Sequence, residues 1–225
     1  MVNFIFDLYN TLIDVRTDEH CEAAWRPVVE FLAARGASVE WQTLCALFDE
    51  YWADFDAHTD ESEYEYPECD CVAQFVWIAR RAGCELSRAE AAEALRAMRR
   101  ASVIRLRLFD GTAELLDELK AAGAGVYLLS NAQSAFTPDE IASVGLTDKF
   151  DGMLLSSDCG CRKPDKAFYT VLFDKYGLDK DGAVMVGDDE TTDGAGAASF
   201  GIAYVRADGG AAAHAAELFS YVRRA

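Results

Sequence analysis

The sequence predicts an α/β fold in which a doubly wound parallel sheet carries an inserted domain built only of helices. Residues 2–7 form a short apolar run of strand-forming side chains, and after residue 108 predicted strands and helices alternate. Alternation of this kind indicates parallel strands with helices on both faces. Because one strand is not stable alone, the first strand must join that sheet. We therefore predict an α/β core from residues 1–14 and 105–225 and a helical insert from residues 15–104.

Four helices are predicted within the insert. The first covers residues 17–34, where apolar residues recur at helical spacing and a glycine follows as a stop signal. Apolar stripes predict the next two helices at residues 40–55 and 69–81. The fourth covers residues 87–101 and opens with the capping-box sequence Ser-Arg-Ala-Glu. The insert is therefore predicted to be helical throughout.

In the second half of the chain, predicted helices and strands follow each other in turn. The predicted strands cover residues 126–129, 153–155, 183–186 and 202–205. The predicted helices cover residues 112–122, 135–144, 165–176 and 191–199. In a doubly wound sheet, functional groups collect at the carboxyl ends of the parallel strands. Polar residues that directly follow these strands are therefore candidates for a functional site.

The composition predicts a folded protein whose partners are neither nucleic acids nor membranes. Half of the residues are hydrophobic, which is enough for a core, and 39 acidic against 21 basic residues give a formal net charge of -18. A field of this sign repels phosphate backbones and anionic membranes, so we expect neither nucleic acid nor a membrane as a partner. The apolar runs are shorter than the ~20 residues of a membrane helix, and we expect a cytoplasmic location. The seven cysteines lack zinc-ribbon spacing and are expected to be reduced thiols, while the oligomeric state stays open.

Four polar clusters lie at the ends of predicted strands or just before a helix. They are Asp-Leu-Tyr-Asn-Thr at 7–11, Ser-Asn at 130–131, Arg-Lys-Pro at 162–164 and Gly-Asp-Asp-Glu-Thr-Thr-Asp at 187–193. Together they offer a carboxylate nucleophile, a hydroxyl donor, a cation and further carboxylates. A hard cation such as Mg²⁺ takes oxygen ligands and would offset the repulsion between a carboxylate and an anionic substrate. The clusters therefore predict a magnesium-dependent catalytic site.

The order and spacing of these clusters resemble the haloacid dehalogenase superfamily over both parts of the predicted core. The resemblance implies a Rossmann-like core, and the insert resembles the helical cap domain that many members carry after the first motif. By position, Asp7 matches the nucleophile of the family. Ser130 matches the residue that hydrogen-bonds the transferred group, and Lys163 matches the cation that steadies the nucleophile and the intermediate. Asn131, next to Ser130, is expected to contact the substrate.

The resemblance also implies a Mg²⁺ site. Asp188 matches the metal-binding carboxylate, and Asp193 matches its usual acidic companion. Asp7 and the backbone carbonyl of Tyr9 are the further ligands that the resemblance implies, and whether Asp189 contacts the metal stays open. A carboxylate nucleophile divides a difficult displacement into two easier steps, through an aspartyl intermediate that water cleaves. In phosphoryl transfer the protein mainly positions groups and neutralises charge, which these residues would do.

The first cluster departs at Tyr9 from the phosphatases of the superfamily. Those enzymes usually carry a second aspartate two residues after the nucleophile, which protonates the leaving alkoxide and later activates water. A phenol with a pKa of ~10 is a poor general base at neutral pH. Tyrosine at this position, and residues 6–12 as a whole, also resemble the 2-haloacid dehalogenase branch, whose halide leaving group needs no proton. The phenol is therefore either an acid or a hydrogen-bonded side chain without a chemical role.

The dehalogenase branch uses no metal, whereas Gly187, Asp188 and Asp189 form an acidic, metal-type motif. Without a cation these carboxylates would repel an anionic substrate and weaken Asp7 as a nucleophile. We therefore predict a Mg²⁺-dependent phosphatase that acts on a small phosphorylated metabolite, and acyl phosphates suit Tyr9 because they need no strong acid. A metal-independent 2-haloacid dehalogenase is the first alternative. A catalytically weak binding or regulatory protein is the second.

The insert contains an acidic aromatic segment at residues 49–70, with ten carboxylates and neither lysine nor arginine. This segment is a lid that selects a neutral or cationic substrate group, a surface for a basic partner, or a solvated face. Charge runs of this kind favour the solvated face. The three histidines, His20, His58 and His214, have no metal-ligand spacing in the sequence.

Overall fold

The elements of the core follow the predicted order in the computed structural model, which describes residues 1–224. Within this range the strands are β1 (Asn3–Phe6), β2 (Ile13–Thr17), β3 (Val103–Leu108), β4 (Gly125–Ser130), β5 (Gly152–Leu155), β6 (Ala183–Gly187) and β7 (Ala203–Arg206). The helices are α1 (Glu22–Ala33), α2 (Trp41–Ala57), α3 (Cys71–Arg81), α4 (Arg88–Ser102), α5 (Thr112–Ala121), α6 (Thr137–Ser143), α7 (Lys166–Tyr176), α8 (Ala195–Phe200) and α9 (Ala215–Val222). A π-helical turn (Glu190–Gly194) directly precedes α8.

Five strands form one parallel sheet in the order β5, β4, β1, β6, β7. The register pairs Asn3 of β1 with Gly125 of β4 on one side and with Ala183 of β6 on the other. Helices pack on both faces of this sheet, which confirms the predicted α/β fold. Because β1 is the middle strand, its carboxyl end lies between those of β4 and β6.

The core consists of two apolar layers, one on each face of the sheet. Successive side chains of a strand point to opposite faces. Phe4 and Phe6 pack on the face covered by α5, where Leu116 is buried, whereas Ile5 packs with Phe168 of α7 on the other face. All five side chains are fully buried. Residues 4–6 of β1 are therefore apolar on both faces of the sheet.

The insert is joined to the core by a two-stranded antiparallel ribbon of β2 and β3. Helices α1 to α4 lie between these strands in the chain and share their own hydrophobic cluster. Trp25 of α1 is fully buried and stacks on Phe75 of α3, with ring centroids 5.9 Å apart. The division that assigns residues 15–104 to the insert stays a prediction, and both of its boundaries fall within the ribbon.

The structure differs from the prediction in the ribbon, in the helix after β6 and in α9. Neither strand of the ribbon, β2 or β3, has a predicted counterpart. The predicted helix at residues 17–34 begins only at Glu22, because residues 13–17 form β2. A strand whose partner lies at the far end of the insert leaves no turn signal in the sequence. The predicted helix at residues 191–199 divides into the π-helical turn and α8, and α9 has no predicted counterpart.

The surface and the thiols agree with the sequence-based expectations. Nine of the ten carboxylates in the acidic aromatic segment are exposed, and only Glu68 is partly buried. All seven cysteines are free thiols. Across residues 1–224, each helix is too short or too polar to cross a membrane.

Candidate active site

The four polar clusters meet at the carboxyl edge of the parallel sheet. Asp7 directly follows β1, Ser130 ends β4, and Asp188 directly follows β6. Lys163 lies in the loop between β5 and α7. Hydrogen bonds between side chains join residues of all four clusters. The topology therefore brings together residues that are far apart in the sequence.

Lys163 is a buried cation between two carboxylates. Only 2% of its side chain is exposed, and Nζ donates to Oδ1 of Asp7 and to Oδ1 of Asp193, each at 2.6 Å. Burial alone would lower the pKa of Lys163, but the charges of Asp7 and Asp193 outweigh burial and raise this pKa above its ordinary value. Lys163 therefore stays protonated beside the predicted nucleophile.

The Ser-Asn pair at the end of β4 forms hydrogen bonds with Asp7 and with the backbone of Lys163. The Ser130 hydroxyl donates to Oδ1 of Asp7 at 3.2 Å. Asn131 uses both ends of its amide on the backbone of Lys163, because Nδ2 donates to the carbonyl at 3.1 Å and Oδ1 accepts from the N–H at 2.7 Å. Asn131 thus positions Lys163, and its predicted contact with the substrate stays a prediction.

Three carboxylates form a group that suits a metal ion. One oxygen each of Asp7, Asp188 and Asp193 lies within 4.8 Å of the others. Burial, followed by the charge of Asp7, raises the pKa of Asp188, and burial raises the pKa of Asp193 to about 6. A cation would offset this crowding, and an all-oxygen donor set fits Mg²⁺. The backbone carbonyl of Tyr9 stays a predicted further ligand.

The turn after β6 packs tightly around Asp193. A Cβ atom at Gly187 would overlap the Asp193 carboxylate, so this position requires glycine. The Asp189 N–H donates to Oδ2 of Asp193 at 3.2 Å. The Asp189 carboxylate itself accepts from the N–H and the hydroxyl of Thr191, at 2.7 and 2.6 Å, and these hydrogen bonds lower the pKa of Asp189. Asp189 therefore caps the π-helical turn and lies outside the group of three carboxylates.

The phenol hydroxyl of Tyr9 forms hydrogen bonds with side chains of α6. Its hydroxyl donates to Oε2 of Glu140 at 2.5 Å and lies 3.2 Å from Oγ1 of Thr137. Glu140 is buried and also accepts from Nε of Arg99, on α4 of the insert, at 2.7 Å. Burial, followed by the charge of Glu140, raises the pKa of Tyr9 above its ordinary value. The phenol proton therefore points to Glu140. Glu140 in turn connects Tyr9 to Arg99 of the insert.

A cavity of about 370 Å³ lies between the insert and the carboxyl edge of the sheet. Its polar and aromatic lining comes from both parts of the chain: Tyr9, Asn131, Gln133, Phe136 and Arg162 from the core, and Trp52, Glu68 and Arg99 from the insert. Gln133 ties the two together, because Nε2 donates to the carbonyl of Cys69 at 2.8 Å and Oε1 accepts from the N–H of Cys71 at 3.3 Å. The insert thus forms one wall of the cavity.

A family model described as a haloacid dehalogenase-like hydrolase matches residues 1–201 of the chain. The chain belongs to this family. The family membership and the fold expected from the four clusters are thereby confirmed. The family includes more than one chemistry, so the reaction of this hydrolase depends on the details of its site.

Curated relatives of this hydrolase are phosphatases. The ribulose-1,5-bisphosphate 5-phosphatase of Halopiger xanaduensis is 33% identical over 95 residues, which cover 42% of this chain and 40% of the relative. The match therefore spans less than half of that relative. The glyceraldehyde 3-phosphate phosphatase of Pyrococcus furiosus is 24% identical over 201 residues, or 88% of this chain and 76% of the relative. Among solved structures, a 2-haloacid dehalogenase from Pseudomonas syringae pv. Tomato superposes with a TM-score of 0.66 at 21% identity, over 92% of this chain and 86% of the other, which supports the fold alone.

Sequence reasoning missed the residues that connect the site of this hydrolase to its insert. Glu140 and Arg99 lie on helices, where a charged residue ordinarily marks a solvated face. Glu68 belongs to the acidic aromatic segment, yet its side chain accepts a hydrogen bond from Gln133 at 3.1 Å, and burial raises the pKa of Glu68. No local spacing distinguishes these three residues, because their partners come from distant segments.

The replacement Tyr9→Phe is expected to change stability more than chemistry. Glu140 would lose a donor in a buried setting, which corresponds to about 1.5 to 3 kcal/mol of unfolding free energy. Because the phenol proton bonds Glu140, we expect kcat to fall by less than about tenfold, well below the 10² to 10⁴ of a general acid. Denaturant unfolding and assays on p-nitrophenyl phosphate and an alkyl phosphate measure both effects. The replacement Tyr127→Phe on β4 is the control, and a hundredfold loss confined to the alkyl phosphate would contradict the expectation.

Proposed function

We propose that this hydrolase is a Mg²⁺-dependent phosphatase that acts on a small phosphorylated metabolite through an aspartyl-phosphate intermediate. The observation that carries the proposal is the setting of Asp7, which accepts a hydrogen bond from a buried lysine and has an oxygen within 4.8 Å of two further carboxylates. Lys163, together with a Mg²⁺ ion held by the three carboxylates, would neutralise the negative charge of a phosphoryl group. The phosphatase names of the curated relatives support the same reaction.

In the first step the Asp7 carboxylate attacks phosphorus, so that an oxygen–phosphorus bond to Asp7 forms and the bond to the leaving oxygen breaks. Lys163 and Ser130 both donate hydrogen bonds to Oδ1 of Asp7, and these bonds fix the orientation of the carboxylate. In the second step water attacks the same phosphorus, which releases inorganic phosphate and restores Asp7. Asp7, Asp188 and Asp193 would hold Mg²⁺, which when bound supplies positive charge to the phosphoryl oxygens.

Tyr9 shapes the choice of substrate in this proposal. Because the Tyr9 hydroxyl donates its proton to a hydrogen bond with Glu140, the phenol offers little help to a poor leaving group. Substrates with good leaving groups, such as acyl phosphates, need no such help. The cavity adds the cationic side chain of Arg162, which suits an anionic metabolite, whereas the charge of Arg99 is already balanced by Glu140. We therefore expect acyl phosphates to react faster than alkyl phosphates.

The same residue favours the second candidate function, a metal-independent 2-haloacid dehalogenase. Tyr9 occupies the position where that branch carries tyrosine, and a halide leaves without a proton. The group of Asp7, Asp188 and Asp193 argues against it. Lys163 already pairs with Asp7 and Asp193, and the addition of Asp188 makes an all-oxygen donor set that fits Mg²⁺, which the dehalogenase branch does not use. We therefore place the phosphatase first.

The proposal predicts phosphate release that requires Mg²⁺. Acetyl phosphate, p-nitrophenyl phosphate and 2-chloropropionate are assayed in parallel, with Mg²⁺ and with EDTA, and phosphate and chloride are measured separately. We expect phosphate release to be lost in EDTA and acetyl phosphate to be the best substrate. Chloride release that is indifferent to EDTA would establish the dehalogenase instead. Silence on all three substrates would favour a binding or regulatory protein.

Two adjacent aspartates provide a matched pair for the same assay. Asp188→Asn removes one of the three grouped carboxylates, and we expect it to raise the Mg²⁺ concentration for half-maximal activity by at least about 10- to 100-fold. Asp189→Asn replaces a cap by a residue that also caps well, so we expect the Mg²⁺ requirement and the stability to be retained. Equal Mg²⁺ requirements in the two variants would contradict the metal site.

A further inference from the structure

A second group of metal-ligating side chains lies in the insert, outside the catalytic cluster. His20, Cys45 and Asp49 each offer one ligand atom, and the three atoms lie within 4.8 Å of one another. Nε2 of His20 is 3.0 Å from Oδ1 of Asp49. No spacing in the sequence groups these residues, because His20 is far from the other two along the chain. The fold brings them together.

Two elements of the insert build this group. Cys45 and Asp49 lie one turn apart on α2, so their side chains extend from the same face of the helix. His20 lies in the turn between β2 and α1, and its N–H donates to Oδ1 of Asp18 at 3.0 Å. The same turn is held by the Cys21 thiol, which donates to the carbonyl of Asp18 at 3.3 Å. His20 is thus presented to α2 by a hydrogen-bonded turn.

The donor set differs in kind from that of the catalytic cluster. An imidazole nitrogen, a thiolate sulfur and a carboxylate oxygen are ligands of Zn²⁺, whereas Mg²⁺ prefers oxygen alone. In a tetrahedral zinc site, neighbouring ligand atoms are roughly 3.3 to 3.7 Å apart, given bond lengths of about 2.0 to 2.3 Å. Nε2 of His20 and Oδ1 of Asp49, at 3.0 Å, are already close to that spacing, and the three ligand atoms lie within 4.8 Å of one another. Three protein ligands leave a fourth position for water.

Burial and exposure are divided among the three ligands in a way that permits binding. Cys45 is buried against the cluster of the insert, while the side chains of His20 and Asp49 are 62% and 55% exposed. The exposed ligands give the ion a path from solvent, and the buried thiol anchors the site. Burial, followed by the charge of Asp49, raises the pKa of the Cys45 thiol, so metal binding must displace a proton.

We propose that His20, Cys45 and Asp49 form a Zn²⁺ site that ties the turn before α1 to α2. The ion would replace the single contact between His20 and Asp49 by bonds to three side chains. The same turn contains Glu19, whose carbonyl accepts from the buried Trp25 side chain at 2.8 Å. A bound ion would therefore stabilise the part of the insert that follows β2.

The test uses the whole 225-residue chain with saturating Mg²⁺, which is expected to occupy oxygen-only sites, and a titration with Co²⁺ as a spectroscopic substitute for Zn²⁺. We expect a thiolate-to-cobalt absorption band in the near ultraviolet that saturates at one equivalent and disappears when Zn²⁺ is added. Cys45→Ser should abolish the band. His20→Gln and Asp49→Asn change exposed side chains, so they should leave the fold intact and weaken Co²⁺ binding by at least about tenfold.

Cys21→Ser is the matched control, because this thiol is adjacent to His20 in sequence but lies outside the group of three ligands, and a serine hydroxyl can keep its hydrogen bond to the Asp18 carbonyl. We expect it to keep the absorption band. Zn²⁺ should raise the thermal unfolding midpoint of the wild type and of Cys21→Ser, but not that of His20→Gln. A band that survives Cys45→Ser, equal Co²⁺ binding by His20→Gln and wild type, or no thiolate band in the wild type would overturn the proposal.

Discussion

Replacing Asp7 by asparagine is expected to lower phosphate release by about 10³-fold or more while the protein stays folded. An amide has the shape of the carboxylate but cannot form the proposed aspartyl phosphate. Its oxygen still accepts hydrogen bonds from Ser130 and Lys163, and Lys163 keeps its ion pair with Asp193. The substitution therefore removes the nucleophile without leaving a buried charge unpaired.

The comparison for this variant is Asp14→Asn. Asp14 is as buried as Asp7, with 8% of each residue exposed, but it lies on β2 and pairs with Arg105 and Arg107 at 2.6 and 3.1 Å. We expect Asp14→Asn to affect stability and to leave kcat within a few-fold of the wild type. Circular dichroism checks the fold of both variants, and kcat is measured with acetyl phosphate and Mg²⁺. Comparable turnover in Asp7→Asn and Asp14→Asn would exclude Asp7 as the nucleophile.

The core could be predicted from the sequence because its signals are local. The apolar run of β1 and the helix stop signals depend on neighbouring residues, and the sheet follows from their alternation. The capping box at the start of α4 is another local signal, and the structure contains both of its hydrogen bonds, between Ser87 and Glu90. The carboxyl ends of parallel strands then lie together as a consequence of topology.

The remaining features depend on contacts between distant segments. Asp189 and Asp188 are adjacent in sequence, and only the fold separates a helix cap from a member of the carboxylate group. Likewise, β2 is defined by its pairing with β3 across the whole insert, and a short charged segment carries no sign of that partner. The ligand group of His20, Cys45 and Asp49 is of the same kind.

Replacing Lys163 by methionine is expected to destabilise the protein and to inactivate it. Methionine keeps much of the volume of the side chain but leaves Asp7 and Asp193 buried without their cation. Breaking a buried ion pair in this way costs about 3 to 5 kcal/mol of unfolding free energy. Loss of a charged group beside the reacting centre lowers kcat by about 10² to 10³-fold. Denaturant unfolding and steady-state assays, with and without Mg²⁺, measure the two effects.

Lys166→Met is the matched control, since this exposed lysine opens α7 three residues further along the chain. We expect little change in its stability or activity. The double replacement Lys163→Met with Asp193→Asn should recover part of the lost stability, because one of the two unpaired charges is gone. Indistinguishable behaviour of Lys163→Met and Lys166→Met would contradict the assigned role of Lys163.

Mg²⁺ separates the two contributions of Lys163. If the lysine only balanced the charge of the carboxylates, added Mg²⁺ would restore both the stability and the activity of Lys163→Met, because the ion neutralises the same groups. In the proposed mechanism Lys163 also orients Asp7, through the 2.6 Å bond to Oδ1, and steadies the phosphorylated intermediate. A cation at the metal site cannot replace that bond. We therefore expect Mg²⁺ to raise the unfolding midpoint of Lys163→Met towards the wild-type value while kcat stays at least about 10²-fold low.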